Sequence, residues 1–271
     1  MATAIARGAL RAGICQPNDL LATARTEPTR AAFAQAVGLE SGAVKTAGEN
    51  VIVAASSDVI LLCVKPPDVI ATLRKIAPKL RGGERGQLVI SIAAGTLLAD
   101  LQSAAGVATP LVRVMPNTPA LVGRGATAYA RGPTATDAHA VLVEKLFGAL
   151  GDIHAVDEKL IDAVNGLSAS GPAYVYTIIE ALADGGVLMG LPRGLAAALA
   201  AQTVLGSAEL VKQGASEGQH PAQLRDAVAS AGGTTMAGLE ALEKGGLRAA
   251  LIAAVRAGTE RARALGRGEP P

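Results

Sequence analysis

Residues 224–243 read LRDAVASAGGTTMAGLEALE, where Gly232 and Gly233 are followed by Thr234 and Thr235. Adjacent glycines free the backbone to curl, and the threonines open a helix whose first amides lack intrahelical partners. Such a turn offers several N–H groups and the positive end of a helix dipole to an anion. Ser230 and Thr235 add hydroxyls at the same mouth. Two uses fit these residues: a capped loop between helices, or a carboxylate pocket with a hydroxyl donor beside it.

A second set of residues lies in the N-terminal half. The run VILLCV ends at Cys63, Val64, Lys65 and Pro66, and the run LVISI ends at Ile92, Ala93 and Ala94. Open α/β sheets bind ligands at the carboxyl ends of their strands. Lys65 is therefore placed either to contact a dinucleotide or simply to be solvated, and the alanines let a flat ring approach. After Leu20–Ala24 an NAD-binding protein commonly carries an acidic residue for the ribose hydroxyls. This chain has Arg25 and Thr26, which suit a 2′-phosphate instead. NADPH is expected over NADH, with NADH as an alternative donor.

The other reactive side chains form no pattern. His139, His154 and His220 show no metal-ligand spacing, and Cys15 and Cys63 are far apart in the sequence. No metal site is expected. Two cysteines in so long a chain suit a reducing compartment, with each thiol serving as a small apolar filler.

The elements that must position these groups follow from hydrophobic patterning. Leu20–Ala24, Val59–Val64, Leu88–Ile92, Leu111–Met115 and Thr127–Ala130 read as short strands, with helices such as Thr29–Val37 and Val69–Ile76 between them. Continuous β-branched runs indicate strands buried on both faces of a parallel sheet. From Asp157 onward no strand-like run occurs. Pro172, Pro192 and Pro221 are placed to open helices, where a missing N–H costs nothing. The fold expected is α/β: an N-terminal Rossmann-like doubly wound sheet over residues 1–156, then an all-α dimerisation and substrate-binding domain over residues 157–271.

The chain has 271 residues and a net charge of +2, half its residues are apolar, and 2% are aromatic. That balance excludes a strong electrostatic draw to nucleic acid, and there are few rings to stack on bases. MATAIARGALRAG has no continuous apolar core of signal-peptide type, and no apolar run in the chain is expected to reach the length of a membrane span. A cytoplasmic protein with no membrane partner is expected. The last helices are apolar on more than one face, which implies a homodimer or higher homo-oligomer through the helical half.

SAGGTT at Ser230–Thr235 resembles the SPGGTT signature of the pyrroline-5-carboxylate reductases. Ala231 replaces the proline, which loosens the turn and keeps its donors. The resemblance extends in order through SDVILLCVKP (57–66), SIAAG (91–95), RVMPNTPALVG (113–123), LIDAVNGLSASGPAYV (160–175) and ALADGGVLMGLPR (181–193). It implies hydride transfer from NADPH to 1-pyrroline-5-carboxylate, giving L-proline in the last step of proline biosynthesis. It further implies that Ser230, Gly233, Thr234 and Thr235 hold the substrate carboxylate. Thr235 also reaches the ring nitrogen as the catalytic hydroxyl, and Glu217 matches an acidic residue lining the pocket. Asn50 matches a contact to the adenosine end, and the MPNTP loop lies near the nicotinamide, where Asn117 is expected to give shape rather than chemistry. Alternative readings are a related imine or hydroxyacid reductase, or a non-catalytic dimer.

The family begins with a strand and a glycine-rich turn, roughly GxGNM, and Met1 matches the methionine closing that turn. In the strand order 3-2-1-4-5-6 the first strand is central. Losing about five buried apolar residues at roughly 1.5–3 kcal/mol each removes about 10 kcal/mol. The stability of a whole domain is only about 5–15 kcal/mol. Met1 is therefore expected to be an internal methionine of a chain starting about ten residues earlier. A chain starting at Met1 is expected to bind NADPH weakly.

Overall fold

The structure, a computed structural model, describes residues 1–38, 44–83, 86–106 and 108–269. The first elements are α1 (Ala2–Arg11), β1 (Leu21–Thr23), α2 (Glu27–Gly38), β2 (Lys45–Ala47), α3 (Asn50–Ser56), β3 (Val59–Leu62) and α4 (Pro66–Ile76). There follow β4 (Leu88–Ser91), α5 (Leu98–Ala105), β5 (Leu111–Met115), β6 (Gly125–Arg131), α6 (Asp137–Gly148), β7 (Gly151–Ala155) and α7 (Ile161–Val164). A π-helical turn, Asn165–Ala169, leads into α8 (Gly171–Leu188), α9 (Arg193–Ser216), α10 (Pro221–Ala227), α11 (Thr234–Lys244) and α12 (Leu247–Gly266). Contacts group Met1–Ser170 with Arg256–Pro271 in one unit and Gly171–Val255 in a second.

In the first unit, β3, β4 and β5 run parallel, β6 joins β5 antiparallel, and β7 lies parallel to β6. β1 and β2 form a separate parallel pair. The strands of this unit thus fall into two hydrogen-bonded groups. The break falls where the order 3-2-1-4-5-6 puts its first strand. Every residue of β4 and β5 is buried, as continuous apolar runs require. Alternation sends Leu88, Ile90, Val112 and Val114 to one face, against Ile5 of α1 and Phe147 of α6. Val89, Leu111 and Met115 face the other way, toward Leu73 of α4, Leu101 of α5 and Ile161 of α7. β2 and β7 were not expected as strands. KTA and GDIHA are largely exposed, so no apolar run announces them.

A charge interrupts the second face. Arg113 of β5 has a fully buried side chain between Leu111 and Met115. Its Nη2 donates to Asp162 Oδ1 at 2.9 Å and its Nη1 to Glu158 Oε1 at 3.3 Å. The same Glu158 oxygen accepts the Leu98 N–H at 2.6 Å, so one carboxylate joins the start of α5 to the strand.

In the second unit, α8 and α9 pack through Ala183, Ala196 and Ala200. A Cβ added at Gly186 would lie 3.2 Å from Ala196 Cβ, so the small side chain permits the close approach. The outer surfaces remain apolar, and Leu188 and Met189 are each 79% exposed. α9 corrects one expectation: at 24 residues it is long and apolar enough to cross a membrane by length and composition. Gln202, Thr203 and Ser207 interrupt the apolar run, so its length is not evident from the sequence.

Candidate functional site

The carboxyl edge of the first unit gathers most of the dinucleotide candidates. The Ile92 N–H donates to Leu62 O at 3.3 Å, so Cys63–Pro66 and Ile92–Ala94 leave the sheet side by side. Lys65 is exposed at the N-cap of α4, and Pro66 and Pro67 set the first helical turn. Burial pushes the Cys63 thiol up to about 11, partly offset by the N-terminal ammonium. Cys63 is therefore a neutral thiol rather than a nucleophile at ordinary pH. Ile5, in the first turn of α1 whose N-cap is Met1, belongs to the apolar cluster against which Cys63 and Ile92 pack. Val64 is exposed, Ile92 and Ala94 are half-buried, and Ala93 is buried. Gly95 turns with φ +71°, and a Cβ there would sit 3.0 Å from Leu265 Cβ of α12.

Arg25 and Thr26 follow β1 and are exposed. The Thr26 and Thr29 hydroxyls are 2.8 Å apart, and Arg30 Nη1 donates to Ala24 O at 2.8 Å, fixing the entry to α2. Arg25 Nη2 donates to Asp68 Oδ2 at 3.2 Å, which brings the end of β1 to the first turn of α4. Asn50 opens α3 and is half-buried. Two cations, a hydroxyl, the first-turn amides of α1 and the small residues Ala93–Gly95 make a donor set suited to an anionic dinucleotide.

Asn117 is buried beyond β5. Its Nδ2 donates to Ser168 O at 3.1 Å and its Oδ1 accepts the Ala126 N–H at 2.9 Å. Both ends of the amide are therefore committed to the protein's own backbone, tying the loop to β6 and to the π-helical turn.

In the second unit, Gly232 adopts φ +65°, a conformation that favours glycine, and the Gly233 N–H donates to Ser230 O at 3.0 Å. Gly233 is the N-cap of α11 and offers no side chain, so the leading amides at Thr234 and Thr235 face outward. Gly233 and Thr235 are half-buried, and Ser230 and Thr234 are exposed. Ser230, Gly233, Thr234 and Thr235 therefore share one turn. Glu217 is apart from them in the hydrogen-bond pattern: it is exposed at the C-cap of α9, and its N–H donates to Gly214 O at 3.0 Å.

Sequence reasoning missed Asp68 and the partners of Arg113. An acidic residue in a helix's first turn has an ordinary use in offsetting the dipole, so Asp68 gave no distinct signal.

The family profile described as pyrroline-5-carboxylate reductase dimerisation matches residues 158–265, and one described as NADP oxidoreductase, coenzyme F420-dependent, matches residues 1–95. The chain is 46% identical to pyrroline-5-carboxylate reductase of Pisum sativum over 265 residues, covering 98% of this chain and 92% of that protein. It superposes on pyrroline-5-carboxylate reductase of Coxiella burnetii with a TM-score of 0.87 at 34% identity, covering 97% of this chain and 94% of the other. For the Plasmodium falciparum pyrroline carboxylate reductase with NADP bound, the TM-score is 0.84 at 33% identity, with 97% and 93% covered.

Proposed function

The chain belongs to the pyrroline-5-carboxylate reductase family, and from that premise we propose that it reduces 1-pyrroline-5-carboxylate to L-proline with NADPH. The observation that carries the reading is the turn Ser230–Thr235, where a glycine in the left-handed region precedes unpartnered amides and hydroxyls at the start of α11. The Thr234 and Thr235 amides take the substrate carboxylate, and the Ser230 hydroxyl donates to it. The Thr235 hydroxyl meets the ring nitrogen, which changes from iminium to amine, and a hydroxyl can serve either form. Bound NADPH supplies a hydride to the C=N carbon, while the π electrons of that bond become the nitrogen lone pair. No further proton is needed when the iminium form binds. The chain's contribution is then positioning and anion binding, with no titrating acid. Glu217 is assigned to the pocket wall by family position.

At the other ligand, Lys65, Asn50, the ends of β3 and β4 and the first turn of α1 with Met1 hold the dinucleotide. Arg25 and Thr26 take its 2′-phosphate. This assigns dinucleotide binding to residues 1–156 and substrate binding with dimerisation to residues 157–271, in a cytoplasmic enzyme without membrane or nucleic-acid partners. NADPH oxidation dependent on added pyrroline-5-carboxylate tests the activity, and no turnover at any enzyme concentration abandons it. Arg25→Asp is expected to weaken the preference, lowering the NADPH/NADH ratio of kcat/KM by at least about tenfold, the weight of one charge-assisted contact. An unchanged ratio removes Arg25 from the phosphate site.

The protein forms homo-oligomers through its dimerisation region. We assign the exposed leucines of α9 to that interface, which explains a helix of membrane-like composition in a soluble reductase. Leu199→Glu with Leu205→Glu is expected to shift sedimentation to monomer at micromolar concentration. An unshifted dimer would place the interface elsewhere.

A further inference from the structure

The pairing of Arg25 with Asp68 bears on how strongly the enzyme distinguishes its two cofactors. Arg25 is the cation assigned to the 2′-phosphate, and Asp68 Oδ2 lies 3.2 Å from its Nη2. The side chains are 84% and 49% exposed, so the guanidinium is open to an incoming anion and the pair itself is weak. The neighbouring cation Arg30 is held by Ala24 O, and the Thr26 hydroxyl is engaged with Thr29. Asp68 stands in the first turn of α4, fixed there by Lys65 at the N-cap and by two prolines. Its backbone position keeps the carboxylate close to Arg25.

We propose that Asp68 is a specificity-determining residue that competes with the cofactor's 2′-phosphate for Arg25 and holds the preference for NADPH below what Arg25 and Thr26 alone would give. The proposal rests on the assignment of Arg25 to the phosphate. A phosphate must take over a guanidinium already engaged and must then sit near a negative charge. A ribose 2′-hydroxyl does neither, so NADH binds with the pair intact. Asp68 thereby moderates one cofactor and leaves the other alone.

The test is calorimetric titration of the full chain with 2′,5′-ADP and with 5′-ADP, which differ at the group in question and need no turnover. Asp68→Asn is expected to tighten 2′,5′-ADP binding roughly two- to fivefold, within the span of an exposed ion pair, and to change 5′-ADP binding less than about twofold. The gain should be larger at low salt and shrink as salt is raised. In an Arg25→Ala background the Asp68→Asn gain should fall by half or more, because the competition has lost its object. If Arg25→Ala weakens 2′,5′-ADP selectively while Asp68→Asn leaves it unchanged or weakens it, Asp68 does not compete and the proposal is overturned. If Arg25→Ala has no selective effect, the phosphate is bound elsewhere, and the assignment beneath the proposal fails with it.

Discussion

Thr235→Val is expected to lower kcat/KM for pyrroline-5-carboxylate by roughly 10- to 150-fold, the equivalent of about 1.5–3 kcal/mol for a hydrogen bond to a charged group. Valine keeps the branched shape of threonine at the half-buried second position of α11 and removes only the hydroxyl. The backbone amides remain, so carboxylate binding should survive in part and the loss should fall more on kcat than on KM. Steady-state kinetics at saturating NADPH, with a thermal melt as a control for folding, checks this. Activity within about twofold of the parent would remove Thr235 from the reacting centre. Gly233→Ala provides an independent route to the same turn. Its new Cβ would collide with the Ser230 hydroxyl and come within 3.1 Å of Ser230 O, disturbing the proposed carboxylate donors without touching Thr235. That variant should raise KM more than it lowers kcat.

The second large effect is on stability. Arg113→Met is expected to destabilise the first unit by about 3–5 kcal/mol, the range for stripping one partner from a buried ion group. Asp162 and Glu158 have side chains only 16% and 32% exposed, and both lose their cation. Urea unfolding followed by circular dichroism measures the change. Combining Arg113→Met with Asp162→Leu and Glu158→Gln should restore much of the loss, because no charge is then left buried without its partner. Glutamine keeps an oxygen to accept the Leu98 N–H. A drop below about 1 kcal/mol for the single change would mean that water reaches the carboxylates readily and that the group behaves as a surface pair.

How much of this was legible in the sequence depended on whether local pattern or distant pairing carried the information. β5 was expected over Leu111–Met115 and has those bounds, because an unbroken apolar run buried on both faces has few other readings. β2 and β7 escaped notice because largely exposed residues in edge positions carry no hydrophobic signal. The SAGGTT turn was legible because two glycines and a helix start occupy adjacent positions; the structure has Gly232 in the left-handed region and the helix beginning at Thr234. Asp68 lies 43 residues from Arg25, and Asp162 lies 49 from Arg113. Such pairs are set by how strands and helices stack, which residue spacing alone does not encode.

The leucines along the outside of α9 also have a genetic consequence. With the interface on α9 as proposed, subunits encoded by two alleles expressed together would form mixed pairs. A defective chain with an intact α9 would draw sound chains into poor assemblies, whereas one with a charged α9 would be left out of them. Of two equally damaging lesions, the one that spares this helix should be the more dominant.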